Sequence, residues 1–241
     1  MVAGLAFLAT AIATVFAQAT GVRFTRHRKP HERAWTIALA LFALASAALA
    51  TGASTGWDRG TFRAFYLLGA VLCVPWLGLG TVYLLAGEKA GRRTETALIL
   101  FSGFAIGVML SAPIHSRIAP DGGIPIGKDH FGVLPRVLAA AASGLGATVV
   151  LVGAIWSAVR FARSRAPGTS RLAAGNGLIA LGTFVLSSGG LVQGLVGKDV
   201  AFALTLTAGI AVIYAGFAVA SSVARSASSR NARRGTLPAK V

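Results

Sequence analysis

Seven stretches of this chain carry no Asp, Glu, Lys or Arg: residues 1–22, 34–57, 64–87, 96–116, 137–159, 172–197 and 200–224. Every charged residue lies between or beyond them. A hydrocarbon layer about 30 Å thick is crossed by about 20 helical residues, because each residue rises 1.5 Å. A charge at its centre costs several kcal/mol, so this segregation is what a bilayer demands. A buried soluble helix of such length would show one polar face, and these stretches show none. Composition agrees. Charged residues make up 12% of the chain and mean hydropathy is +0.71, whereas an ordinary soluble domain carries about 25% charge. A hydrophobic share of 55% also excludes a disordered protein. The predicted fold class is all-α: a polytopic membrane protein, a bundle of seven transmembrane helices.

Orientation follows from Lys and Arg. The first connection, the third, the fifth and the C-terminal tail together hold 17 of them, against 6 on the opposite side. Basic residues stay cytoplasmic, so the N-terminus is expected outside and the C-terminus inside. The formal charge of +16 raises the question of nucleic acid. The excess is better read as the topology signal, with basic ends meeting the anionic lipid headgroups of the cytoplasmic face. No aromatic residues interleave the basic tail as a single-strand binder requires, so no nucleic-acid partner is expected. Ala17-Gln18-Ala19 has the form of a signal-peptide cleavage site, but 1–22 lacks a basic start and its apolar run is long, so it reads as a retained helix. The single cysteine, Cys73, allows no disulfide within the chain. Arg outnumbers Lys 18 to 5, a composition expected of GC-rich bacterial coding. The expected location is therefore a bacterial plasma (inner) membrane.

One transmembrane domain is expected over 1–224, with an outer loop at 117–136 as its sizeable soluble piece. The tail 225–241, basic and rich in Ser and Ala, is expected to be an unstructured cytoplasmic segment. Pro135 suits the first turn of helix five, where a missing N–H costs nothing. Leu79-Gly80-Thr81 in helix three is echoed by Leu181-Gly182-Thr183 in helix six, which in a chain with 30 Gly reads as coincidence.

Candidate chemistry is sparse. Gly122-x-x-x-x-Gly127-Lys128 matches a phosphate-loop spacing, but Asp129 follows where a Ser or Thr should hold magnesium, and no strand precedes it. A retinal Schiff base needs a lysine inside the last helix, and none is there. A membrane bis-His haem needs two helical His, and only His115 lies at a helix end. No cofactor is expected. All four Asp fall on the expected outer side, so Asp58, Asp121 and Asp129 with His115 and His130 form a candidate ligand site, or a site for a divalent ion of unknown kind. Polar and kink residues inside the spans, Pro75, Trp76, Thr81, Tyr83, Asn176, Gln193 and Tyr214, are candidates for lining a path, against the plainer reading that they bond neighbouring helices. Val74-Pro75-Trp76 predicts a kink, since proline removes one hydrogen bond and clashes with the carbonyl of Val71. Gly103-x-x-x-Gly107 and Gly190-x-x-x-Gly194 are expected to pack within the chain, and Trp35, Trp57 and Trp156 to anchor at the interfaces. Serines lack a partner base, and no nucleophile–base–orienter set appears.

Three function classes remain. The first is a non-enzymatic accessory subunit or ligand sensor that depends on a membrane-protein partner. The second is a facilitator or transporter for a small or apolar solute. The third is a metal-dependent enzyme at the outer interface. The absence of a carboxylate or cation within the apolar stretches argues against a proton-coupled pump.

Overall fold

The computed structural model describes residues 1–114, 118, 123–164, 166, 169–196 and 199–235, with side chains except at 190–196 and 222–235. The described residues contain helices and no strands. Seven helices are long and apolar enough to cross a membrane. They are α1 (Val2–His27), α2 (Pro30–Thr55), α3 (Arg59–Leu85), α4 (Gly87–Ser111), α5 (Val133–Arg163), α6 (Thr169–Val196) and α7 (Asp199–Gly235). This is the expected seven-helix bundle.

The helices outrun the charge-free stretches. Only Arg28 and Lys29 separate α1 from α2, and Arg28 closes α1 in the left-handed region (φ 55°), its N–H bonded to the Phe24 carbonyl at 2.8 Å. The basic residues of that connection therefore sit on helix ends, where long stems lie along apolar surface and charged heads reach water. At the other terminus the α7 backbone stays helical past residue 224 to Gly235. The run 225–234 contains no Gly or Pro, and its Ala and Arg residues are good helix formers. Residues 236–241 of the expected tail lie outside the described residues.

Six helices pack in a ring: α1 on α2, α2 on α3, α3 on α5, α5 on α6, α6 on α7 and α7 back on α1. The side of that ring where α1, α2, α6 and α7 meet is filled by Phe16, Leu39, Ile210 and Ile213, with Phe42, Ile179 and Leu186 against them. α4 stands outside the ring, packed mainly on α3. The two ends of the bundle differ. One, called here the basic end, gathers the Arg-rich junctions of α1 with α2 and α3 with α4. The other, named the acidic end for its carboxylates although Arg59, Arg63, Lys128 and Arg136 lie there too, holds Asp58, Asp129 and Asp199.

α3 is not one uniform helix. Its middle, Tyr66–Cys73, is π-helical, and α-helix resumes at Val74–Leu85 with Pro75 in its first turn. The predicted break at Pro75 thus takes the form of wider turns ahead of the proline. A π-turn shifts each bonding partner by one residue, which relieves the clash a proline ring makes with the carbonyl four back.

Close backbone contacts carry the ring. A Cβ at Gly146 of α5 would lie 2.6 Å from the Val74 carbonyl oxygen of α3. Between α6 and α7, a Cβ at Gly182 would lie 2.8 Å from the Gly209 carbonyl oxygen. Hydrocarbon offers no hydrophobic gain for helix association, so such approaches, and the dispersion contacts they allow, do the joining. Two features differ from the sequence expectation. Gly103 and Gly107 have nothing within 4 Å of a built Cβ, so this pair is not an internal packing face; among the described residues no helix packs on that side of α4. Trp35 and Trp57 do not simply anchor at an interface: their rings lie over Gly80 and Gly52, which offer flat sites for an indole. Trp156 is 66% exposed, as an anchor would be. Gly190-x-x-x-Gly194 lies outside the described side chains. The echo between helices three and six has no common role, since Gly80 receives an indole and Gly182 a neighbouring backbone.

These contacts give a graded expectation. Gly146→Ala forces α3 and α5 apart and should cost about 1–3 kcal/mol, in the range of overpacking. Gly103→Ala, made in open space, should be neutral or gain up to about 1 kcal/mol from helix propensity. Thermal unfolding of both variants in detergent checks the contrast.

Candidate functional site

The residues proposed to line a path face different neighbours. The Trp76 indole N–H donates to Ser102 Oγ on α4 at 3.3 Å, and the Tyr83 hydroxyl donates to the Glu95 carboxylate, also on α4. Thr81 packs at Gly153 of α5, and Pro75 lies beside Gly146 of the same helix. Asn176 Nδ2 donates to the Leu172 carbonyl one turn back in its own helix at 2.9 Å. The Tyr214 ring meets Phe16 of α1 at 5.1 Å. The Gln193 side chain lies outside the described residues.

At the acidic end, Asp58 caps α3. Its Oδ1 accepts from the Gly60 N–H at 2.7 Å and the Thr61 N–H at 3.0 Å, and its Oδ2 from the Thr61 hydroxyl at 2.5 Å. The Thr61 hydroxyl, then the two backbone N–H groups, hold the Asp58 carboxyl below its ordinary pKa. Asp129 and His130 lie in one short helical turn, Gly127–His130. Asp129 is exposed, whereas His130 is buried with its ring edge-on to Phe62 at 5.3 Å. Asp199 Oδ2 accepts from the Ile124 N–H at 2.8 Å and ties the loop before that turn to the start of α7. His115 and Asp121 lie outside the described residues. Among the described residues, no three His, Cys, Asp or Glu side chains are grouped to hold a metal ion.

The basic end holds what sequence reasoning missed. Glu32 is 2% exposed, although its neighbours in sequence are charged. Its Oε1 accepts from Arg23 Nε at 3.1 Å; Oε2 has no hydrogen bond among the described residues and lies 3.9 Å from His27 Nδ1. Arg23 also donates to Ser221 Oγ of α7 at 2.8 Å and lies over the Phe217 ring at 4.9 Å. The pair thus joins α1, α2 and α7. One signal was available: a Glu in the first turn after Pro30 suits a helix N-terminus, whose partial positive charge favours carboxylates.

Beside this pair, a pocket of about 270 Å³ opens between the α1–α2 junction and the α3–α4 hairpin. Its walls are Phe24, Arg28, Pro30, Arg33, Tyr83, Glu88, Arg92 and Glu95. Two of its cations are matched. Arg33 bonds Glu95, which also takes the Tyr83 hydroxyl, and Arg92 Nη2 bonds Glu88 at 2.6 Å one turn away. Arg28 lies over the Phe24 ring at 5.9 Å and has no carboxylate partner among the described residues. The arrangement offers charge, hydrogen bonds and an apolar wall.

No protein-family model, curated protein or solved structure matches the chain.

Two outcomes follow. Because the folded-state pKa of Asp58 is depressed, the stability it contributes is present above the ordinary carboxyl pKa. That stability is lost as pH falls through the lowered value. Asp58→Asn, which keeps an N-cap acceptor, should remove this part of the acid sensitivity while costing little near neutral pH; Asp58→Ala should cost about 1 kcal/mol there. Unfolding midpoints across pH check both. Glu32→Ala removes the partner of Arg23 and should cost about 2 kcal/mol, the scale of a lost hydrogen bond to a charged group. Arg26→Ala, at an exposed position of α1, should cost far less when measured by the same unfolding curves.

Proposed function

We propose that this chain is a non-enzymatic accessory subunit of a membrane assembly, seated through α4 against a transmembrane helix of a partner protein. The observation that supports it is the condition of α4. It is the least buried of the seven spans, with Leu100, Phe104 and Leu110 more than half exposed. Between those large residues, Gly103 and Gly107 form an unfilled notch. Lipid chains need no such notch; a helix backbone that must come close does. A sensor belongs to the same class and would take its ligand at the acidic end, around Asp58, Asp121, Asp129, His115 and His130. The facilitator is the second reading, favoured by the π-helical stretch ahead of Pro75, since π-turns are frequent at functional sites. The enzyme reading rests on His115 with the Asp-rich outer loop and is not adopted.

The proposal places the basic end on the cytoplasmic side of a bacterial plasma membrane, supported by the 17 to 6 division of basic residues. In a Cys73→Ala background, Lys128→Cys should react with a membrane-impermeant thiol reagent in intact cells. Thr25→Cys should react only after lysis; the reverse pattern overturns the orientation.

The accessory role is tested by native mass spectrometry of the chain gently purified from its own host. A stoichiometric second membrane protein is expected, and Gly103→Leu with Gly107→Leu should release it without lowering the unfolding midpoint of the chain itself. A lone chain, or a complex indifferent to both substitutions, overturns the role.

A further inference from the structure

We propose that the pocket at the basic end is a binding site for the headgroup of a phospholipid bearing one net negative charge. Three guanidiniums and two carboxylates line it, so its walls carry one positive charge more than they neutralise. That surplus sits on Arg28, since Arg33 and Arg92 are engaged by Glu95 and Glu88. A phosphodiester supplies one negative charge and two free oxygens, which match a guanidinium fork.

Position selects a lipid over a soluble phosphate. The pocket lies where apolar spans end, at the depth of headgroups. From Arg33, one face of α2 continues through Ile37, Ala40 and Leu44, of which Ala40 and Leu44 are exposed. These positions recur every three or four residues and so form one stripe along the helix. A lipid whose phosphate meets Arg28 can lay a chain along that stripe. Phe24 and Pro30 give the glycerol region an apolar wall. The backbone helps as well: Arg28 is held in the left-handed conformation by its N–H bond to Phe24, which fixes the base of its side chain beside the pocket. This site is distinct from the general attraction of basic helix ends to anionic membranes, because it depends on one residue and its position.

The test is native mass spectrometry of the full chain in detergent, titrated with phosphatidylglycerol or phosphatidylcholine. The full chain should retain phosphatidylglycerol at least tenfold better than phosphatidylcholine; equal retention overturns the site. Arg28→Gln should reduce phosphatidylglycerol retention roughly tenfold, the scale of one lost charge-assisted bond, whereas Arg26→Gln, which removes the same charge outside the pocket, should change it less than twofold. Equal loss in both variants means charge attraction alone and overturns the proposal. If Arg28→Gln does not fold, Arg28→Lys, which keeps the charge and loses the guanidinium fork, is read in its place and should lower phosphatidylglycerol retention severalfold; no change overturns the site. Glycerol 3-phosphate is the final arm. Displacement of bound lipid by millimolar glycerol 3-phosphate would show a soluble phosphate site and overturn the lipid assignment; persistence of the lipid supports it.

Discussion

Inside a bilayer no water is present to satisfy a backbone or to reward the burial of carbon. The first condition makes every crossing a helix, and the second leaves helix association to close contact. Most of this architecture follows from those two facts. Where α5 meets α3, Gly146 lets the backbone around Val74 and Pro75 come near enough for sustained dispersion contact. Where α6 meets α7, Gly182 with Gly209 and Gly175 with Gly216 do the same. Large residues then fill what remains, as Phe16, Leu39 and Ile213 do between α1, α2 and α7. The proline of α3 fits within this scheme because the π-helical turns before it adjust the backbone pairing where water is absent.

The same condition pushes polar chemistry to the two ends, where it takes different forms. At the acidic end carboxylates act on nearby backbone: Asp58 caps a helix and Asp199 holds the Ile124 N–H. At the basic end they act on guanidiniums, and the pairs of Glu32 with Arg23 and Glu95 with Arg33 connect separate helices. Polar groups in between are occupied locally, as Asn176 is by Leu172 and Trp76 by Ser102. Polar groups along the spans thus bond within or between neighbouring helices, and the charged side chains gather at the two ends.

The number of spans was legible because a charge-free run of twenty residues has few other meanings. Pair identities were less legible. Glu32 stands in a charged run and reads as loop, yet helix α2 begins before it and turns it toward α1. Burial there depends on where α1 ends, which Arg28 decides through a left-handed conformation that no local pattern announces. The two kinds of glycine also look alike in sequence. Gly146 is filled by a neighbouring backbone and Gly103 by nothing, and the difference is a matter of which helices lie adjacent. The same holds for Trp35, whose ring finds Gly80 across the α2–α3 contact instead of the interface its position suggested. For the acidic end, Asp58 reads in sequence as a candidate ligand residue, and its role as a cap emerges only with the start of α3 at Arg59, while the buried setting of His130 depends on Phe62, far away in the chain.

The most direct measurement of the central claim is photo-crosslinking in the native membrane from single positions on the outer surface. A photoreactive residue at Phe104 of α4 should capture one protein of constant mass. The same residue at Phe7 or Val15, which are equally exposed on α1, should capture lipid. Lipid adducts alone from all three positions would contradict the account, because α4 would then be one more helix facing hydrocarbon.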